Sequence, residues 1–176
     1  GPETTSVVHM RADHRHDGAR PWRGVKRDQW EGGHRVPLIA RWPGKVPPGT
    51  TSDQLTSLTD VMATCAGIVG ADLPDAAAED SFDMRPALLG EAREPIRPYL
   101  LQQAFSVRAL AIRKGPWKYL DHRGSGGNNY DRGPLQAFAL PDLAPDASGQ
   151  LYDLERDPGE TRNLYSARPD VVAELA

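Results

Sequence analysis

The Gly32-Gly33 pair, set between a charged, aromatic stretch and an apolar run, is the feature that most restricts how this chain can fold. Two residues without a Cβ let the backbone bend tightly where a side chain would obstruct it. The segment reads Arg23-Gly-Val-Lys26-Arg27-Asp-Gln-Trp30-Glu31-Gly32-Gly33-His34-Arg35-Val36-Pro37, continuing to Arg41-Trp42-Pro43-Gly44. Residues 36–42 are expected to form a buried strand, stopped by Pro43-Gly44. A bend at a strand end is where a rigid scaffold presents polar groups to ligands, and Lys26 is the group so placed. A solvated loop lysine is the plain alternative, since exposure is the default for this residue. Lysine and arginine together number 21, yet the lysines are only Lys26, Lys45, Lys114 and Lys118. In such a chain a compact ammonium suits an oxyanion that needs a mobile donor, whereas guanidinium suits fixed bidentate recognition.

The rest of the chain supplies a frame. Its 176 residues suit one ordinary domain of roughly 100–200 residues. Hydrophobic residues make up 39%, and 16 Pro with 17 Gly point to much loop. A formal charge of −3 argues against nucleic acid as the main partner. No apolar run approaches the ~20 residues of a membrane span. The single cysteine, Cys65, excludes an intrachain disulfide.

Residues 1–21 have little apolar periodicity and are expected to form a long polar loop. The His14-x-His16 pair there, with Asp13 and Asp17, is read as part of a polar surface loop in preference to a metal site, because no second ligand pair stands at finger-like spacing. Thr59 is expected to cap a helix over residues 60–69, with Val61, Met62, Cys65, Ile68 and Val69 on a buried stripe and Gly70 closing it. Cys65 is accordingly read as a small core residue. A short helix is expected at 84–89, and strands at 99–105, 107–113 and 117–121. Their short connections require antiparallel neighbours. Residues 122–130 form a second glycine-rich loop, either substrate-facing or a flexible excursion. A last strand at 151–154, a turn at Asp157-Pro158-Gly159-Glu160 and a helix opening at Pro169 complete the pattern.

The set Arg23-Gly-x-Lys26, Trp30-Glu31-Gly32-Gly33-His34-Arg35-Val36-Pro37 and Arg41-Trp42-Pro43-Gly44 resembles the second signature region of the formylglycine-dependent sulfatases. Gly1-Pro2-Glu3 and the run Gln150-Leu-Tyr152-Asp153-Leu154-x-x-Asp157-Pro158-Gly159-Glu160-x-x-Asn163-Leu164 extend the resemblance over almost the whole chain. The resemblance implies an α/β fold: residues 1–95 as the end of an alkaline-phosphatase-like core, and 96–176 as a C-terminal subdomain with a small antiparallel sheet packed on a helix. It implies a sulfuric ester hydrolase acting on a carbohydrate or aryl sulfate, with Lys26 as a catalytic, sulfate-binding lysine. Arg27, His34, Asn128 and Asn129 are candidate substrate contacts, His34 serving packing or sugar contact. Glu31 and Arg35 are expected to pin the turn as a charge pair.

The family's cofactors are calcium and formylglycine, the latter made from Cys or Ser in a Cys/Ser-x-Pro-x-Arg motif. Cys65 is followed by Ala66-Gly67-Ile68-Val69 and does not match. The chain alone is therefore expected to carry no metal ligands and to be inactive, its partners being a sulfated small molecule or glycan and the N-terminal part of the sulfatase. Family members of the bacterial carbohydrate type imply a periplasmic or extracellular location. Two alternatives stay open: a free-standing module that binds anionic glycans, and a phosphate or phosphonate ester hydrolase of the same superfamily.

Overall fold

The computed structural model describes residues 1–106 and 108–176. By compactness the chain divides into two units, Gly1–Val36 with Leu101–Ala176, and Pro37–Leu100. The first joins the glycine-pair segment to the sheet, which the sequence had assigned to separate parts.

In the first unit, residues 1–21 are not the expected loop throughout: α1 spans Thr4–His14. The Glu3 side chain accepts from Thr4 N–H at its start, and Arg15 at φ 51 closes it in the left-handed region. Only Val7 on α1 is fully buried, so the sequence carries no periodic apolar face to betray it. Local capping and the favourable placement of Arg11 and His14 in the last turn stand in for that signal.

A four-stranded sheet runs in the order β1 (Leu100–Gln103), β2 (Leu110–Lys114), β3 (Trp117–Leu120), β4 (Gln150–Asp153). The expected first residue of β2, Val107, lies outside the described residues. β2 and β3 are antiparallel with Ala111 opposite Leu120 and Arg113 opposite Lys118, and β3 and β4 are antiparallel with Lys118 opposite Tyr152. Strand alternation then sorts the side chains. Ala111, Leu120 and Tyr152 pack with Trp30 on one face. Leu151 packs on the other against Val171 and Leu175 of α5 (Pro169–Leu175), with Ile112, Trp117 and Tyr119 beside it. Both faces of β4 are covered, which is why all four of its residues are buried.

The run after β4 is a set of side-chain caps. Asp157 accepts from the backbone N–H of Thr161 and Arg162, and Asn163 Oδ1 accepts from Leu151 N–H at 3.0 Å while its amide donates to Gly149 C=O. These side chains satisfy backbone groups that a turn leaves without a ladder.

The second unit holds α3 (Val61–Val69) and α4 (Arg85–Leu88). Ser57, not Thr59, caps the α3 region: its hydroxyl accepts from Thr59 N–H, and Asp60 reaches back to Ser57 N–H at 2.7 Å. Gly70 closes α3 at φ 69 as expected. The face is opposite to expectation, because Thr64 is the buried residue and Cys65 is exposed. Polar contacts decide this. The Thr64 hydroxyl donates to Asp60 C=O and accepts from Met84 N–H, and Gly67 C=O accepts from Arg85. Val61, Met62, Ile68 and Val69 consequently face outward.

Residues 36–42 are also not a buried strand. Ile39 is 90% exposed, and the run pairs with no strand among the described residues. An apolar run becomes a strand only where a ladder partner takes its N–H and C=O groups. No helix among the described residues is long and apolar enough to cross a membrane.

Candidate functional site

The segment leading into the glycine pair is built by backbone approach. A Cβ on Gly32 would sit 2.3 Å from Gly24 C=O, and one on Gly33 would sit 2.1 Å from Asp28 C=O. The pair is therefore required for space. One turn of helix, α2 (Glu31–His34), follows from it.

Asp28, only 1% exposed, organises the approach to Lys26. One carboxylate oxygen accepts from Val25 N–H and from Tyr130 OH; the other accepts from Asn128 N–H and from its side-chain amide. Burial first, then the Asp28 charge, pushes the Tyr130 phenol up, so it remains a donor. Lys26 is held at both backbone groups: its N–H donates to Pro2 C=O at 2.9 Å, and its C=O accepts from the Asn128 amide at 2.9 Å. Its side chain is 57% exposed and its amine lies 3.0 Å from Glu3. Arg27, in the left-handed region at φ 85, sets its guanidinium on the other Glu3 oxygen at 2.8 Å. The hydrogen bonds from Lys26 and Arg27 hold the Glu3 carboxyl at about 2.

Of the expected contacts, the fold brings Lys26, Arg27 and Asn128 together. Asn128 uses its amide to fasten the glycine-rich loop to Lys26, and Gly127 packs so close that a Cβ would lie 2.0 Å from Arg27 C=O. Asn129 is exposed and accepts from Asp131 N–H. His34 sits apart, half-buried, with Nε2 lacking a partner. Burial, followed by the Lys118 charge, lowers it to about 4, so its ring is neutral near pH 7.

Beneath the bend lies a charge cluster larger than the expected pair. Glu31 accepts from Lys118 at 2.9 Å, from Arg35 at 2.9 Å and from Arg113 at 3.1 Å. Glu31 and Lys118 side chains are 2% and 0% exposed. Burial pushes the Glu31 carboxyl up, but Lys118, Arg113 and Arg35 outweigh it and hold the group at about 2. Glu160, wholly buried and at φ 50, accepts from Glu31 N–H at 2.7 Å. Arg23 spans to the Glu160 carbonyl and to Tyr152 OH, its guanidinium 3.7 Å from the Trp30 ring centre.

Sequence reasoning missed Lys118, Asp28 and Glu160. The available signal for Lys118 was its alternation with Leu120, which puts the ammonium on the core face and so requires a buried carboxylate to meet it.

Glu160 makes the cluster sensitive to pH. Burial, with the Glu31 charge adding and Lys118 opposing, raises its carboxyl to about 7. Between the ordinary carboxylate range and pH 7 the unfolded chain ionises this group while the folded chain keeps it protonated. Stability therefore falls as pH rises through that window. Glu160→Gln, which keeps the acceptor for Glu31 N–H, is expected to gain roughly 1–3 kcal/mol on the parent between pH 5 and pH 8. Urea unfolding of both proteins at the two pH values checks this; the His34 contribution is common to both and cancels.

The glycine-rich loop also borders an open depression of about 380 Å³ lined by Phe105, Arg108, His122, Arg123, Gly127 and Asn128 among others. Among the described residues no three His, Cys, Asp or Glu side chains converge to hold a metal ion. Cys65, exposed on α3 and outside the modification motif, is no precursor of formylglycine. The residues present do not fit either family cofactor.

The fold and the glycine-pair segment agree with the sequence comparisons. Residues 2–71 match the sulfatase family model, and the chain belongs to that family, with an alkaline-phosphatase-like α/β architecture. It is 35% identical over 179 residues to an N-acetylgalactosamine-6-O-sulfatase of Bacteroides thetaiotaomicron, covering 100% of this chain and 33% of the relative. It is 35% identical to human arylsulfatase A, covering 83% of this chain and 30% of that protein. Among solved structures, a protein of the Bacteroides thetaiotaomicron core locus for metabolism of multiple glycosaminoglycans superposes with a TM-score of 0.68 at 37% identity, over 88% of this chain and 30% of that one. The chain thus spans about a third of the length of the curated relatives it matches.

Proposed function

We propose that this chain supplies the sulfate-contacting lysine of a sulfatase whose substrate is a sulfated carbohydrate. The observation that carries the reading is the setting of Lys26: both backbone groups are engaged, while the amine ends in solvent on a carboxylate. An exposed ion pair of this kind contributes only about 0–1 kcal/mol, so an arriving sulfate oxygen can take the ammonium from Glu3. A positioned cation there lowers the barrier as negative charge builds on the departing oxygen. Sulfate is preferred to phosphate on family grounds, since a lysine suits either oxyanion.

On this reading the nucleophile and the calcium site belong to the remainder of a longer sulfatase, which is the chain's partner. Two facts support that. The chain spans a third of its relatives, and α3 exposes Val61, Met62, Ile68 and Val69, an apolar face of the sort that marks a contact surface. A periplasmic or extracellular location follows from the family resemblance.

The test is calorimetric titration of N-acetylgalactosamine 6-sulfate into the purified 176-residue chain, with an aryl sulfate assay alongside. Lys26→Ala is expected to weaken binding about tenfold or more, ~1.4 kcal/mol, with unchanged thermal unfolding, and the chain alone is expected to show no turnover. Equal binding by the variant, or hydrolysis by the isolated chain, overturns the reading.

A further inference from the structure

The depression beside the glycine-rich loop is used by nothing described so far. We infer that it is a subsite for an anionic sugar unit, a carboxylate or second sulfate on the residue next to the sulfated one. The inference deepens the preceding reading and rests on it for the neighbouring sulfated sugar.

Its position comes from backbone contacts. Phe105 N–H donates to Arg27 C=O at 3.3 Å, Ser106 N–H donates to Gly126 C=O at 3.1 Å, and Asn128 reaches Lys26 C=O. The lining loops are thereby tied to the Lys26-Arg27 segment itself, so a chain occupying one place has its next unit near the other.

Its chemistry comes from the side chains. Phe105 is 73% exposed, an apolar ring at the rim. Arg108 and Arg123 are exposed guanidiniums, and planar forks of this kind match carboxylate and sulfate oxygens. Arg123 has one competing carboxylate, Asp142, at 3.4 Å, an exposed and weak pair. The His122 ring packs against Gly126, where a Cβ would lie 2.9 Å from its Cε1. Its Nδ1 lies 3.0 Å from Arg123 C=O; a carbonyl only accepts, so Nδ1 carries the hydrogen. Nε2 is then an enclosed atom with no partner, in the wall of a depression that also carries two cations. An apolar rim with a few converging polar groups is the composition of a ligand site, and charged sugars present both an apolar C–H face and an anionic substituent.

Three probes test this on the purified chain: N-acetylgalactosamine 6-sulfate linked to glucuronate, the same disaccharide with its carboxyl reduced to the alcohol, and the reduced form carrying a second sulfate in its place. Arg108→Ala combined with Arg123→Ala changes exposed positions and is expected to leave thermal unfolding unchanged. The double variant should bind the glucuronate probe, the disulfated probe or both about tenfold more weakly, and the carboxyl-reduced monosulfated probe as the parent does. Which probe responds separates carboxylate from sulfate. Lys26→Ala should weaken all three alike, so its failure removes the sulfate-lysine reading without touching this one. Equal loss on all probes, no loss on any, or a parent that binds none of them overturns the subsite.

Discussion

Replacing Glu31 with glutamine is expected to lower the unfolding free energy by about 3–5 kcal/mol, because it leaves the Lys118 ammonium buried without a counter-charge. Lys118 is wholly enclosed and its donor contact to Glu31 is 2.9 Å. Its other carboxylate neighbour, Glu160, lies 3.8 Å away and, raised to about 7, is a full counter-charge only above that pH. In the variant Glu160 would ionise in response, which places the loss at the low end of the range and moves it with pH. Lys118→Met in the Glu31→Gln background removes the stranded charge and is expected to recover a third or more of the loss; Arg35 and Arg113, both partly exposed, can turn to water. Urea unfolding followed by circular dichroism decides it. Additive losses in the double variant would mean that the two groups do not act as a pair.

Asp60→Ala is expected to cost the second unit about as much, again about 3–5 kcal/mol. Asp60 is fully buried and its carboxylate pairs with Arg97, whose side chain is 4% exposed. The same carboxylate accepts from Ser57 N–H at 2.7 Å and Phe82 N–H at 2.9 Å. Removing it strands a guanidinium and two backbone donors together. Among the described residues Arg97 then keeps the carbonyls of Asp80 and Tyr99 and its contact with the Phe82 ring. Amide hydrogen exchange should show protection lost at Ser57 and Phe82. Asp60→Asn, which retains an acceptor, should lose about half as much; equal loss from both would assign the effect to geometry and not to charge.

The elements that could be read from the chain were those with a local cause. Gly70 ends α3 because the left-handed conformation costs a glycine nothing. Lys114-Gly115-Pro116 turns β2 into β3, and Pro169 opens α5. The Gly32-Gly33 bend was legible as a place where backbone must meet backbone, and the contacts at Gly24 and Asp28 C=O supply that backbone. The Glu31–Arg35 pair was expected from the family resemblance. The readings that failed turned on partners distant in sequence. The apolar stripe of α3 pointed correctly to a helix but not to its buried side, since Thr64 faces inward to meet Met84 N–H. Residues 36–42 had the composition of a strand without a ladder to join.

What the sequence by itself determined was the family, the turns and the antiparallel sheet, because glycine, proline and capping side chains act on the backbone within a few residues; Lys26 it marked only as a candidate. Only the tertiary structure decided what surrounds that lysine: Glu3 on its amine, Asp28 and Asn128 behind its backbone, and the Glu31–Lys118–Glu160 cluster under the bend. Charges at separations such as 31 to 118 acquire meaning only when strand register sets them on one buried face, where the loss of water makes every unpaired group costly.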